Sequence, residues 1–480
     1  MARRSCDTDF TILQEALGLS SSSQLHPQNS KEDELKTQGW ETYHCTLVTP
    51  LYGGGVEAGK IDLQMPIRAT EIRGHLRFWW RLLYGNSEDS KEIFKRECEI
   101  WGGIGKEGAT KSKVEIRISN ITGTSENRFK SVFEYWKAKD DDGNEKYKGP
   151  DHKYGNEYAL FPARGSLEDD RSDIKELPHR VLEANVVKFC LQINLEKKSL
   201  IPLNNEQKEQ VITALRWWAS FGGIGARTRR GLGAIKVDEL DPVTREEVSD
   251  RNGRLEVCAL TSNLSNQRYT DNKFAEKAWN HSVDRLKAFR QEPNIGRTKS
   301  SQKKIPGGES RWPEPDSIRN ISGYIYKNNE PDKDRSPNNT KQNSFPRAAF
   351  GLPIIFHFKD SNSRQPKNRN FDPQDHALEP KDQDKERMAS PVIVRPYWDG
   401  EWKACALLIP GWERALAQPL EFRSEKDLLK NNQSKEYKNS PNHWNNTTDS
   451  EKDTISQRMT KISATKDPLT AFLDFFEEGK

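Results

Sequence analysis

Cysteine chemistry has little foothold in this chain. Its six cysteines (Cys6, Cys45, Cys98, Cys190, Cys258 and Cys405) are scattered, with no CxxC pair and no nearby pair of histidines. That argues against a zinc site or a disulfide framework and fits a reducing compartment. No apolar run approaches the length of a membrane span. The opening "MARRSCDTDFTILQEALGLSSSS" is interrupted by Gln14 and Glu15 and shows no small-residue cleavage pattern, so it does not read as a signal peptide. Net charge is also small: 76 Lys and Arg against 72 Asp and Glu leave +4, too even to announce nucleic acid by itself. These absences predict a soluble cytoplasmic protein with no metal, no other cofactor and no membrane partner.

What is present is charge, tryptophan and clustered glycine. Hydrophobic residues make up 33% and charged residues 31% of 480, which suggests two or three domains with much solvated or partner-facing surface. Residues 1–39 are polar and serine-rich and are expected to form a loose leader. Order is expected from Trp40, where "YHCTLVTPLYGGG" reads as a strand broken at Pro50 and Gly53–Gly55. In "IRATEIRGHLRFWWRLLYG", Ile72, Leu76, Trp79 and Leu83 recur at helical spacing, and Gly85 ends the pattern. The runs "KVEIRIS", "EYALFPA" and "VKFCLQINL" read as strands. A second helix follows Pro202, with Asn204 and Gln207 at capping-box spacing and Val211, Leu215 and Trp218 on one face; "GAIKV" then reads as a strand.

Strand, helix, strands, helix, strand is the order of a ferredoxin-like unit. The expected class is therefore α+β, with a ferredoxin-like domain at 40–240 and an acidic, turn-rich linker at 241–256. Residues 257–480 repeat the mixture: a helix in "FAEKAWNHSVDRLKAF", a strand in "LPIIFHF", a hairpin with Asp399-Gly400 as its two-residue turn, and a tail whose Leu469, Phe472, Leu473 and Phe476 share a helical face. Two polar stretches, 291–345 and 359–390, are too long for ordinary connections and read as functional insertions or disorder.

The run "SFGGIGARTRRGLGAI" packs five glycines and three arginines between Ser220 and Ile235. Phosphate-cradling loops of nucleotide enzymes leave a strand and open a helix, whose positive end meets the phosphate. Here a helix ends and a strand begins, and the Lys-Ser/Thr pair of a P-loop is missing, so a nucleoside triphosphate site is rejected. Glycines such as Gly223 and Gly225 allow close approach, and Arg227, Arg229 and Arg230 offer forked phosphate contacts. No acid occurs between Glu209 and Asp238. The alternatives are a polyanion-binding surface or a tight turn with solvated arginines.

The first helix adds a second basic element. Arg73, Arg77 and Arg81 recur every four residues with Trp80 on the same flank, Arg68 precedes them and His75 interleaves. An arginine row beside an exposed aromatic can hold phosphates and stack bases; the competing reading is a buried Trp79–Trp80 pair with arginines paired to acids. His44 and His75 are the only histidines in the basic region, and each is more readily a contact or packing residue than a general base. Asp140–Asp142 before Gly143 lacks the spacing of a calcium loop and reads as a solvated turn.

These motifs resemble the RAMP proteins of CRISPR systems, and within them the first RAMP subunit of type III-B (Cmr) effector complexes. The resemblance rests on "TPLYGGG", "IRATEIRGHLRFWWRLLYG", the glycine-rich loop at Gly222–Gly233, "RWPEPDSIR", "PRAAFGLPI" and "RMASPVIVRP". It implies two ferredoxin-like (RRM-like) domains and a non-catalytic place in an RNA-guided complex. The implied partners are the guide RNA near its 3′ end, the target RNA and neighbouring RAMP subunits. It assigns RNA contact to Arg68, Arg73, Arg77, Arg227, Arg229 and Arg230, and more weakly to Arg347, Arg387 and Arg395. The alternative is a metal-independent RAMP endoribonuclease that processes CRISPR RNA, with His44 or His75 as its base.

Overall fold

The computed structural model describes residues 39–85, 89–105, 108–196, 202–260, 268–299, 310–322, 343–357, 376–382, 387–424, 441–459 and 461–479. The leader, except Gly39, and most of the two polar insertions lie outside these residues. Among the described residues no helix is long and apolar enough to cross a membrane.

The first half begins with β1 (Trp40–Leu47) and runs through α1 (Ala69–Tyr84), α2 (Ser90–Trp101) and β2 (Glu115–Thr122). A projecting hairpin follows, β3 (Phe133–Lys139) with β4 (Glu145–His152), then β5 (Lys188–Asn194), α3 (Asn205–Phe221) and β6 (Ile235–Val237). The sheet order is β6-β1-β5-β2, all antiparallel. That is the ferredoxin-like arrangement: each strand–helix–strand crossover skips one position, and the returning strand fills it.

Helix α3 starts where the sequence says. Asn204 accepts from the Gln207 N–H at 2.8 Å and the Gln207 side chain accepts from the Asn204 N–H at 3.2 Å, so two orphan donors are satisfied reciprocally. It ends at Gly222 for a packing reason. A Cβ there would lie 2.5 Å from Trp218 Cδ1 and 2.9 Å from Trp79 Nε1. Helices α1 and α3 meet through Trp79, Trp217 and Phe221, whose rings lie 5.5–6.4 Å apart.

The second half repeats the pattern with one strand fewer. It contains β7 (Arg254–Cys258), α4 (Lys273–Gln291), β8 (Val392–Trp398), β9 (Trp402–Leu408) and α5 (Pro468–Glu477). The sheet order β7-β9-β8 is again antiparallel, with α4 and α5 packed on it. A ferredoxin-like unit lacking its fourth strand has this order. Leu469, Phe472, Leu473 and Phe476 are all buried, so the tail helix docks on its own chain.

Two sequence expectations need correction. "EYALFPA" is not a strand; it ends in a 3-10 turn at Phe161–Arg164, because Ala159, Leu160 and Ala163 are buried at irregular spacing while Phe161 faces out. The hairpin at Asp399-Gly400 has a three-residue loop, since Trp398 pairs with Trp402 and Gly400 takes φ +99°.

Candidate nucleic-acid interface

The glycine-rich loop is a seam between the two halves. Its N–H groups are largely engaged within the protein: Ile224 donates to Gly233 O, Ala226 to Tyr52 O, Gly231 to Thr228 O, Gly233 to Pro50 O, and Ala234 to Thr49 Oγ1. Thr49 Oγ1 in turn donates to Gly231 O at 2.6 Å, which fixes "TPLYGGG" against the loop. From the second half, Trp279 Nε1 donates to Arg230 O at 2.7 Å. The glycines serve this close packing. Gly223 is buried, and a Cβ on it would lie 2.7 Å from Gly233 O; one on Gly225, at φ +76°, would meet Leu51 and Tyr52.

An open groove of about 500 Å³ lies between the loop and α1, lined by Gly54, Arg68, Thr70, Glu71, Gly74, His75 and Gly225. The expectation of an acid-free loop fails here. Glu71, 154 residues away in sequence, accepts the Gly225 N–H on its Oε1 at 2.5 Å, and His75 Nε2 lies 3.7 Å from the same oxygen. The Gly225 N–H is therefore taken by an internal carboxylate, and Gly223 is buried away from the groove lining. The cations are side chains. Arg68, at the N-terminal cap of α1, donates to Gly54 O. Arg73 is half-buried and has no carboxylate partner among the described residues; its Nε is buried without a hydrogen bond. Arg227, in left-handed backbone at φ +59°, is exposed, and its Nε donates to Ala159 O at 2.7 Å. Arg229 stands over the Phe78 ring at 5.5 Å and donates to Ser390 O across the seam.

The remaining candidates fall elsewhere. Trp80 is 0% exposed and donates from Nε1 to Gln210 Oε1 at 2.9 Å, so it is core and offers no stacking face. Arg77 and Arg81 converge on Glu97 Oε1 at 2.5 and 2.6 Å. That carboxylate comes from α2, whose position relative to α1 the helical pattern does not fix. Arg230 is half-buried and donates to Val392 O at 3.4 Å; burial pushes its guanidinium down to about 10, still a cation at neutral pH. Arg347 is paired with the fully buried Glu314, whose carboxylate accepts the Arg347 N–H at 2.7 Å. Arg395 is 2% exposed and donates to the carbonyls of Ala219, Gly222, Ile235 and Pro396. Two of these belong to the C-terminal end of α3, so Arg395 neutralises the negative end of that helix. Arg387 is exposed, three residues from the Ser390 carbonyl that Arg229 holds.

Of the histidines, His44 pairs with Glu239 on the opposite side of β1 from the core. A histidine joined to the loop through Tyr52 is one the sequence does not single out. With the ring in its Nε2–H tautomer, His179 donates to Glu176 Oε1 at 3.1 Å and accepts from the Tyr52 hydroxyl on Nδ1 at 3.1 Å. Both rings are buried, and Gly59 is pressed against them. Asp140 closes the β3–β4 turn, accepting from the N–H groups of Asp142 and Asn144 and pairing with Lys146. Among the described residues no cluster of three or more His, Cys, Asp or Glu could hold a metal ion.

The comparisons with known proteins bear on this same region. The RAMP superfamily model matches residues 44–236, which contain β1, α1, the groove and the whole glycine-rich loop. This part of the chain is similar to the RAMP superfamily. Among solved structures, apo Cmr1 from Pyrococcus furiosus aligns over 88% of this chain and 97% of its own, at 14% identity and a TM-score of 0.29. A chain of the type III-B Cmr-β complex bound to cognate target RNA and AMPPnP, in the presence of ssDNA, aligns over 91% of this chain and 98% of its own, at 11% identity and a TM-score of 0.38. No curated protein sequence matches the chain.

Proposed function

We propose that this protein is a non-catalytic RNA-binding and assembly RAMP subunit of a type III-B (Cmr) RNA-guided effector complex, working in the cytoplasm. In this reading it contacts guide and target RNA near the guide's 3′ end and abuts neighbouring RAMP subunits. The observation that carries the RNA reading is the groove between α1 and the glycine-rich loop. Arg68 lines it, Arg73 lies on the same helix and Arg227 two residues beyond the lining Gly225, all at family motifs, and neither Arg73 nor Arg227 has an acid partner among the described residues. Forked guanidinium contacts of this kind grip phosphates and carry no base preference, so sequence reading falls to guide–target pairing. The division into domains at 40–240 and 257–480, joined at 241–256, is part of the same proposal. Purification together with the other complex subunits, followed by RNA extraction, tests it. A bound RNA of defined length supports the reading; a complex that assembles and retains its guide equally well without this chain contradicts it.

One observation favours a second reading, a metal-independent endoribonuclease for CRISPR RNA. The Tyr52–His179–Glu176 chain lies beside the loop and has the form of an activated hydroxyl with an oriented base. Cleavage there would take the proton from an RNA 2′-hydroxyl, whose oxygen attacks the adjacent phosphorus. The 5′-oxygen leaves with a proton, giving a 2′,3′-cyclic phosphate and a 5′-hydroxyl. Burial of the Tyr–His pair under Gly59 weighs against it. Incubation with repeat RNA in EDTA separates the two readings: sharp cleavage abolished by His179→Ala establishes the nuclease, and intact RNA removes it.

A further inference from the structure

Phe161 is 58% exposed although the residues on either side anchor its turn firmly. Ala159, Leu160 and Ala163 are fully buried, so the ring stands out from a rigid base. One cation stands over it and a second is tied to its turn. The Arg164 guanidinium lies 5.1 Å from the Phe161 ring centroid, and Arg227, an outer arginine of the glycine-rich loop, is hydrogen-bonded to the carbonyl two residues earlier, at Ala159. A ring this exposed adds little to the buried core. A fixed aromatic ring beside one guanidinium group, on a turn held by a second arginine, has the composition of a single-strand platform, where the arginines hold phosphates and the ring stacks on a base.

We infer that Phe161, with Arg164 and Arg227, forms a stacking platform for an unpaired base of single-stranded RNA beside the glycine-rich loop. The inference rests on the RNA-binding reading above and deepens it: the RNA at this point is not part of the guide–target duplex. An exposed aromatic can also dock a protein, but the Arg164 guanidinium at the ring and the link through Arg227 to the basic glycine-rich loop favour RNA.

The test uses the full chain and a short single-stranded RNA carrying 2-aminopurine, or an abasic nucleotide, at successive positions. Phe161→Ala is expected to weaken binding about tenfold, the scale of one base stack, with the salt dependence unchanged. Phe161→Trp should keep the affinity. At one RNA position the 2-aminopurine emission should be quenched by the wild type and not by Phe161→Ala, and an abasic nucleotide there should erase the difference between the two proteins. The inference is overturned if Phe161→Ala binds as tightly as the wild type, or loses the same affinity for abasic RNA, while Arg227→Ala still lowers the salt slope. In that case the RNA-binding reading survives. If neither substitution changes RNA binding, the RNA-binding reading itself fails.

Discussion

Arg73 and Arg395 belong to the two halves of the chain, and they live in opposite surroundings. Arg395 is sealed between β8 and the end of α3, with its guanidinium hydrogens held by four carbonyls. Arg73 sits half-exposed on α1 with no acid to neutralise it among the described residues. A buried guanidinium whose hydrogen bonds are all made is a structural cation: it stabilises a helix end and ties two sheets together. A half-exposed one left without an internal counter-charge is available to an anion from outside. The same division separates the buried Arg347–Glu314 pair from exposed Arg227.

Replacing Arg395 should give the largest effect. Arg395→Met leaves carbonyls of α3, β6 and β8 without a donor, and a loss of at least about 3 kcal/mol in urea denaturation is expected. An unchanged midpoint would break the comparison on its buried side. A buried histidine extends the same logic to pH. Burial pushes His443 down to about 4, and its Nδ1 accepts the Trp444 N–H at 2.8 Å. A depressed value means that the unfolded chain binds the extra proton first. The stability is therefore full above pH 6.5, the ordinary value, and declines as pH falls toward 4. The acid limb of a stability–pH curve should flatten in His443→Asn, which keeps an acceptor for Trp444; a limb identical to the wild type would exclude His443 as its source. The smallest effect concerns Glu71. Removing its charge with Glu71→Gln should tighten RNA binding by a few-fold, because the carboxylate opposes phosphate in the groove. Weaker binding would instead make Glu71 a strut that holds Gly225.

The ferredoxin-like order of the first half was legible because its signals are local: the capping box at Asn204, the apolar stripe Ile72–Leu76–Trp79–Leu83, and short strands in sequence. The same spacing could not decide Trp80. Adjacent residues on a helix differ by about 100° in direction, so both tryptophans are buried only because α1 packs against more than one neighbour. The basic loop was legible as a helix-to-strand turn and not as an interface. Its charge is written in the sequence, but the partners are not: Glu71 for Gly225, Glu97 for Arg77 and Arg81, and the Ser390 and Val392 carbonyls for Arg229 and Arg230. Those pairings are long-range products of folding, and they sort the arginines. Phe161 escaped notice for the related reason that an alternating apolar run was read as a strand.

The central claim is that the arginines without an internal carboxylate partner bind RNA while the buried ones hold the fold. Titrating single-stranded RNA into Arg73→Ala/Arg227→Ala across a range of salt concentrations tests it most directly. The account predicts weaker binding, a slope of log affinity against log salt reduced by about one for each phosphate no longer held, and an unchanged thermal midpoint. A double variant with wild-type affinity and wild-type salt slope would contradict it.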